Sequence, residues 1–576
     1  GWPLSKTQYA HSWHDCAYCV LDNGHPVVHA ELERYTREKE PKGDGLDLFY
    51  EKYENADEVE HFVHVLDTVE GGVKSRYLDS FVKMENQIVS KSGAFHIVGH
   101  HLAHAAHAFY SSNFEDAIIL TIDGGGPELD ADGNPYTTTL GWYEGKGKEC
   151  NRLGTAPYEV VDIGGFWTRC TEEIFGLSGG YPKGHQAGTV MAMACMGDPE
   201  KYGEYFLSTG LKPDTFVHKK QRSSFYEAHH FYKNSEEVGW YGTLPPSVIK
   251  NNAHFIDGQI DFPALRKLAE SSEKERFDIA AGIQWATEQV LVQILKEIST
   301  LSDSKNLCLC GGVALNSVFV GKIKDWFGDR FENIYVPPVP YDAGLAIGGA
   351  QYVWHSILGN DRITWEDNFT PYLGENYSLE SVKLALENNP NIVYTEATTE
   401  QVVDLLAQEK IVSVFGGGSE SGRRALGNRS ILADPRSPSM KDMINEKVKH
   451  RQWFRPFAPS ILRESVSEWF ERDVDSPYMT MVIKFKEEKR DLVPAVVHFD
   501  GTARLQTVTE NDNKWYYNFL KVWNEKSGVP IILNTSFNDR EPIVENPEHA
   551  INCFLRTEID YLYFFDYNIL CKKEGG

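Results

Sequence analysis

His100 and His104 stand four residues apart in Gly-His-His-Leu-Ala-His-Ala-Ala-His, a stretch that begins at Gly99. On a helix that spacing puts both imidazoles on one face, where they can share a metal ion. Half-buried histidines of an ordinary helix give the same pattern, so spacing alone leaves both readings open. Just downstream, the apolar run Ala-Ile-Ile-Leu-Thr-Ile ends in Asp123 and three glycines, Gly124 to Gly126. This reads as a buried strand that delivers a carboxylate to a turn where backbone can approach a phosphate or a metal. A helix giving two histidines beside a strand giving an acid suggests a metal-nucleotide site.

Further chemistry is carried on the same kind of punctuation. Residues 277–298 show helical spacing with Gln284 and Glu288 one turn apart, and lead into Asn-Leu-Cys-Leu-Cys-Gly311-Gly312-Val-Ala-Leu-Asn316. Helix, strand, glycine pair and helix make a phosphate cradle candidate, although one glycine pair is weak evidence. A second carboxylate, Asp342, stands on another glycine-rich turn, Tyr341-Asp-Ala-Gly-Leu-Ala-Ile-Gly-Gly-Ala350. Residues 421–456 hold nine Lys or Arg against three acids in a chain whose net charge is −26. The arginines interleave with Gly, Asn, Ser and Pro, which suits a shaped anion pocket better than a merely basic surface. His498-Phe-Asp-Gly-Thr-Ala-Arg504 and Ile-Ile-Leu-Asn534-Thr-Ser536-Phe-Asn538 add one more arginine and a polar loop after an apolar strand.

The elements that must hold these residues can be read in outline. Residues 16–21, the turn Asp22-Asn23-Gly24 and residues 26–30 signal a β-hairpin that follows His14-Asp15. The mixed charges of residues 31–40 predict a solvated segment. A second acid-bearing hairpin, with its turn near residues 132–135, gives a weak internal echo; paired glycine-rich hairpins clamp nucleotide phosphates in sugar kinases, actin and Hsp70. Residues 164–194 are glycine-rich and close on a buried helix start, whereas residues 200–275 are polar, aromatic and irregular, as in a substrate-side elaboration. Turn-rich text between residues 358 and 399 marks the domain cut, dividing residues 1–371 from 372–576.

Composition narrows the setting. At 576 residues the chain predicts two or three domains. Its 41% hydrophobic content contains no apolar run near the roughly 18 residues that cross a bilayer. Nine cysteines without a regular framework, and an N-terminal Gly-Trp-Pro-Leu-Ser-Lys unlike a secretory signal, point to a reducing cytoplasm. The pairs Cys16/Cys19 and Cys308/Cys310 fit core packing. The acidic balance disfavours a broad grip on nucleic acid and suits cationic or neutral small partners.

Taken together the motifs resemble the O-carbamoyltransferases of antibiotic and Nod-factor biosynthesis. His14-Asp15, the charged stretch at 31–39, His100-His-Leu-Ala-His104, Asp123-Gly124, Gly311-Gly-Val-Ala-Leu-Asn316, Arg424-Ala-Leu-Gly-Asn-Arg-Ser430, Lys449-His-Arg451, Arg455-Pro-Phe-Ala-Pro459, His498 to Arg504 and Asn534-Thr-Ser-Phe-Asn538 occur in family order along nearly the whole chain. The resemblance implies an α/β protein with an N-terminal duplicated domain of the actin/Hsp70 type and a C-terminal YrdC-like α/β domain. It implies that the C-terminal domain converts carbamoyl phosphate and Mg-ATP to carbamoyl adenylate, and that the N-terminal domain passes the carbamoyl group to an acceptor hydroxyl. Matched position by position, His100, His104, Asp123 and Asp342 would be metal ligands; the two-nitrogen, two-oxygen set suits Fe(II), Mn(II) or Zn(II), and resemblance favours iron. His14 would be the base of the transfer step with Asp15 beside it, and Gly124, Gly311, Gly312 and Asn316 would contact nucleotide. Arg424, Lys449, Arg455, Arg504, Asn534 and Ser536 would bind carbamoyl phosphate and ATP.

This chain departs from the family pattern in three places. Gly188 is followed by Thr189 where Lys is usual, Val320 stands where Asn is usual, and the loop after Asn538 is one residue short. The expected acceptor is a small polar molecule bearing a hydroxyl, held beside His14. A hydroxymethylated pyrimidine, as nucleotide or in DNA, is the alternative that Lys219, Lys220, Arg222, Phe225 and Tyr226 would serve. A threonylcarbamoyl- or hydrogenase-maturation-like transferase and a non-catalytic nucleotide-binding scaffold are the remaining alternatives.

Overall fold

The computed structural model describes residues 15–41, 45–53, 59–66, 94–129, 135–156, 161–177, 186–209 and 260–575. His14 and the basic-aromatic group at 219–226 lie outside the described residues. The chain is a mixed α/β protein that divides into two compact units. Unit 1 comprises Gly1–Glu33, Lys39–Asn316 and Lys322–Trp365; unit 2 comprises Arg34–Glu38, Ser317–Gly321 and Glu366–Gly576.

Unit 1 begins with the hairpin of β1 (Ala17–Asp22) and β2 (His25–Glu31). Its turn residues Asn23 and Gly24 have φ of 49° and 82°, the double positive φ that the Asn-Gly signal predicts. Strands β3 (His61–Val65) and β4 (Ala94–Val98) form a parallel pair. The main sheet is built from β5 (Asp116–Leu129), β6 (Pro135–Lys146), β7 (Glu149–Ala156), β8 (Asn306–Cys310) and β9 (Asn333–Tyr335) in the order β7-β6-β5-β8-β9. The first three pair antiparallel, and β5-β8-β9 run parallel. Against this sheet lies α1 (His100–Ser111), buried along all but one of its residues.

Burying α1 sets a packing constraint that its sequence meets with alanines at 103, 105, 106 and 108, none exposed at all. The helix α2 (Glu273–Ile298) covers residues read as helical from the sequence. The helix α3 (Leu345–Tyr352) presses closest to α1: a Cβ on Gly348 would stand 1.9 Å from the Ala103 carbonyl oxygen. Both ends of α1 are tied. Glu128 accepts a hydrogen bond from the Leu102 amide at 2.9 Å, and a Cβ on Gly99, the residue before the helix, would collide with that carboxylate. At the other end Arg362 donates to the carbonyls of Phe109 (2.9 Å) and Ser112 (2.8 Å) and stacks over the Phe109 ring at 4.2 Å. An acid at the N-terminus and a cation at the C-terminus satisfy orphan backbone groups and oppose the helix dipole.

Unit 2 is organised on nine strands in the order β10-β18-β17-β11-β12-β16-β13-β15-β14. They are β10 (Ile392–Glu396), β11 (Val412–Phe415), β12 (Arg429–Ala433), β13 (Ala458–Leu462), β14 (Met481–Lys484), β15 (Thr502–Val508), β16 (Ile531–Ser536), β17 (Tyr561–Phe564) and β18 (Ile569–Lys573). The neighbours β12, β16, β13 and β15 carry or adjoin most of the basic and polar residues singled out in the sequence. The helix α4 (Lys514–Ser527) packs Tyr516, Phe519, Leu520 and Trp523 into the core, with Asn513 capping its start and left-handed Gly528 ending it.

One expectation is corrected here. The stretch at 31–40 is not a solvated segment: Glu31, Glu33, Arg34 and Glu40 are all buried. Alternating charge was the wrong guide because distant partners absorb it. In unit 1 Glu31 accepts the Tyr341 hydroxyl at 2.7 Å; in unit 2 Arg37 donates to the carbonyls of Pro542 (2.6 Å) and Ile543 (2.8 Å).

The α1–α3 contact is testable. Gly348→Ala must displace backbone and is expected to cost about 1–3 kcal/mol, seen as a lowered urea midpoint. Gly188→Ala, whose Cβ meets nothing within 4 Å, is expected to leave the midpoint unchanged or raise it.

Candidate functional site

The structure brings His100, His104, Asp123 and Asp342 together, with one ligand atom from each lying within 4.8 Å of the others. Helix α1 supplies both histidines on one face, β5 supplies Asp123, and the turn before α3 supplies Asp342. His104 Nε2 is 3.1 Å from Asp123 Oδ2 and 3.4 Å from Asp342 Oδ1. His100 Nε2 is 3.8 and 3.6 Å from the same oxygens, is fully buried, and has no hydrogen-bond partner. Donors on one ion with bonds of about 2.0–2.2 Å stand roughly 3.0–3.5 Å apart at cis or tetrahedral angles, so the group fits one divalent ion after small adjustments. His100 Nδ1 lies 3.2 Å from the Leu66 carbonyl, which fixes the proton there and leaves Nε2 its lone pair.

Asp123 is aimed by backbone. Its Oδ1 accepts from the Gly124 amide at 2.6 Å, and its Oδ2 accepts from the Gly312 amide at 3.0 Å. Two glycines predicted to cradle phosphate therefore hold the carboxylate. Gly311 reaches this position with φ of 90°, and a Cβ there would stand 2.1 Å from the Ile122 carbonyl oxygen. Burial opposes the Asp123 anion, but His100 and His104 outweigh it and hold its pKa well below the usual carboxylate range. Burial likewise opposes the His104 cation, yet Cys310 and the two aspartates raise its pKa well above the ordinary value. The remaining histidines of α1 are neutral and structural: His101 bonds Thr121 Oγ1 (2.8 Å) and the Thr138 carbonyl (2.9 Å), and burial pushes His107 down to about 3.

Asp15 is buried at the start of the β1–β2 hairpin with φ of 65°. Its hairpin is pinned to the Asp342 turn by His29 Nε2, 2.9 Å from the Ala343 carbonyl, and by the Glu31–Tyr341 contact. Asn316 exchanges hydrogen bonds with Gln284, which donates to Glu288, and Glu288 in turn holds Lys322 at 2.8 Å. Cys310, read as core packing, is buried but also sits 3.6 Å from His104 Nδ1. Its alternation with Cys308 along one strand hid that contact.

In unit 2 the guanidinium groups of Arg424, Arg451, Arg455 and Arg504 converge. Burial and the repulsion of the other three push the Arg504 pKa well below the usual arginine value. Among the described residues no carboxylate acts on Arg504, and Arg455 makes no side-chain hydrogen bond or ion pair. Like charges gathered in this way suit the binding of an anion. Arg451 belongs to it although only Lys449 of its motif had been assigned; its position two residues after that lysine was the available signal.

Two assigned residues act from behind. Lys449 Nζ donates to the carbonyls of Ser536 and Asn538 (2.5 and 2.8 Å) and to Asn538 Oδ1 (2.7 Å), so it pins the loop after β16. Asn534 is 1% exposed, and its Nδ2 donates to the Ala425 carbonyl, Ser460 Oγ and Gln506 Oε1. Ser536, at the end of β16, donates to Asn538 Oδ1 at 2.8 Å.

Comparisons with known proteins match two parts of the chain. A family model described as Carbamoyltransferase N-terminus matches residues 91–351, and one described as Carbamoyltransferase C-terminus matches residues 403–571. The chain is 35% identical over 496 residues to uncharacterized protein sll1178 of Synechocystis sp., covering 80% of this chain and 74% of that one. It is 33% identical over 473 residues to nodulation protein NolO of Bradyrhizobium diazoefficiens, covering 81% and 77%. Among solved structures, full-length HypF in its phosphate- and nucleotide-bound form has a TM-score of 0.29 at 14% identity, over 62% of this chain and 57% of that one. That likeness is too slight to carry an argument.

The metal reading makes a direct prediction. Protein stripped with chelator and returned to Fe(II), Mn(II) or Zn(II) should retain about one equivalent by elemental analysis, and His100→Ala with His104→Ala should retain none. Gly126→Ala, whose Cβ would stand 2.2–2.5 Å from the His100 ring, should weaken retention by about 10–100-fold with all four ligands present.

Proposed function

The chain belongs to the carbamoyltransferase family and is a transferase enzyme, and from that premise we propose that it works in two steps on two sites. In the first, unit 2 uses carbamoyl phosphate, water and ATP to make carbamoyl adenylate, releasing phosphate and pyrophosphate. In the second, unit 1 joins the carbamoyl carbon to an acceptor hydroxyl oxygen as the bond to AMP breaks and the hydroxyl proton leaves. The observation that carries the first step is the cluster of Arg424, Arg451, Arg455 and Arg504, whose mutual repulsion an incoming phosphoryl group relieves. The division 1–371 and 372–576, the actin/Hsp70-like reading of the first part and the YrdC-like reading of the second belong to this proposal.

For the transfer step the supporting observation is the His100, His104, Asp123 and Asp342 group. A divalent ion held by these four residues would supply positive charge to a phosphoryl oxygen of the nucleotide. His14, by resemblance, takes the acceptor proton, with Asp15 beside it. Gly124 and Gly312 orient Asp123, and Asn316 is fixed through Gln284. The acceptor we favour is a small polar molecule with a free hydroxyl, since a net charge of −26 opposes polyanions.

Carbamoyl-phosphate-dependent release of pyrophosphate from ATP tests the first step. Arg455→Ala and Arg504→Ala should each lower it by about 10²–10³-fold, equivalent to about 3–4 kcal/mol of transition-state stabilisation. Unchanged release in both would remove the site from unit 2.

The two steps also separate. His14→Asn should release pyrophosphate at the parent rate while carbamoylating an acceptor at least about 10²-fold more slowly. Supplying labelled carbamoyl phosphate with a panel of polyols, aminoglycoside-like amines and hydroxymethyl-pyrimidine DNA identifies the acceptor; label entering DNA alone would replace the small-molecule reading.

A further inference from the structure

We propose that Glu420, with Arg34, is a positioning residue that fixes the Arg424 loop in the anion site of unit 2; this rests on the reading of that site given above. The loop runs from residue 421 to 428, between β11 and β12, and has no helix or strand of its own. Backbone that turns this sharply must find partners for its amides and carbonyls. Glu420 is 1% exposed, and its Oε1 accepts from three amides at once: Leu426 (2.7 Å), Asn428 (2.8 Å) and Arg429 (3.2 Å). From the other side Arg34 donates through one nitrogen to the carbonyls of Glu420 (2.9 Å) and Gly422 (2.6 Å). Arg424 therefore sits on a segment gripped on both flanks by buried charges, one of them almost 400 residues distant in sequence.

The grip is matched to the shape of the loop. Gly422 and Gly427 have φ of 96° and 127°, and a Cβ on Gly427 would stand 2.6 Å from the Tyr516 ring. Two further carbonyls of the loop are bonded by side chains: Ala425 by Asn534, and Leu426 by Gln506 Nε2 (2.9 Å) and the Tyr372 hydroxyl (3.0 Å). Glu420 is not among the groups that act on Arg504, whose repelling neighbours include Arg424. What they supply is backbone order, without which Arg424 would swing away from three guanidinium groups of its own sign.

The experiment is a double-mutant cycle on carbamoyl-phosphate-dependent pyrophosphate release. Glu420→Ala should lower kcat/KM for carbamoyl phosphate by about 10²-fold, as misplacement of a contact group does. Glu420→Gln, which keeps an acceptor oxygen for the three amides, should recover most of that loss. Combined with Arg424→Ala, Glu420→Ala should add little beyond Arg424→Ala alone, because one acts through the other. Arg34→Met runs through the same cycle and decides the matter if Glu420→Ala does not fold. Parent-like kcat/KM in a folded variant, or losses that multiply with Arg424→Ala, would overturn the positioning role. A parent chain that releases no pyrophosphate and binds no carbamoyl phosphate by calorimetry would instead overturn the two-step reading, and this inference with it.

Discussion

The Asp123 carboxylate, gripped by two glycine amides and facing two buried imidazoles, is the interaction on which unit 1 depends. A half-buried carboxylate beside buried imidazoles is tolerated when its oxygens are satisfied from fixed directions. Those directions dictate the local backbone. Gly311 must take a positive φ so that Gly312 can donate, Gly124 must follow Asp123 directly, and Gly126 must leave its Cβ position to the His100 ring. The alanines of α1 and Gly348 of α3 follow from the same need, since they let the histidine-bearing helix lie close enough to the Asp342 turn. Capping by Glu128 and Arg362 then stops the helix from sliding along its axis.

How much of this was legible in the sequence depends on which layer a residue occupies. The four metal-ligand candidates stand out because their chemistry is rare and their spacing is local or glycine-marked. The β1–β2 hairpin and α2 were readable from turn residues and periodicity. The residues that aim the ligands were not readable in that role. Gly124 and Gly312 carry the right signature, backbone meeting an anion, but the anion they meet is the protein's own carboxylate. Glu128 and Arg362 look like ordinary charges on a strand and a loop, and only the fold shows that they close the two ends of one helix.

The stretch at 31–40 illustrates why charge pattern misleads. Mixed signs within ten residues suggest local pairing in water, yet Glu31 reaches residue 341 and Arg37 reaches residues 542 and 543. A sequence window records which charges are neighbours along the chain, whereas burial depends on partners hundreds of residues away. Lys449 and Asn534 show the converse. Their family-motif positions marked them as ligand contacts, whereas in the structure their polar atoms bond to neighbouring loops.

The two candidate sites solve opposite electrostatic problems. In unit 1 the groups attract: two carboxylates and two imidazoles draw together, His104 to 3.1 Å from Asp123 and His100 to 3.6 and 3.8 Å from the two aspartates. In unit 2 four guanidinium groups repel, and the backbone that carries them is held by buried polar side chains. These are Asn534 and Gln506 beneath residues 425 and 426, Lys449 inside the loop after β16, and Asn445 bridging Arg451 Nε and the Arg455 carbonyl. A preorganised set of like charges binds an anion without reorganising as the anion's charge develops, which is the property that makes such a site catalytic rather than merely adhesive. On the function proposed above, the buried polar scaffold is as much a part of the unit 2 site as the arginines it presents.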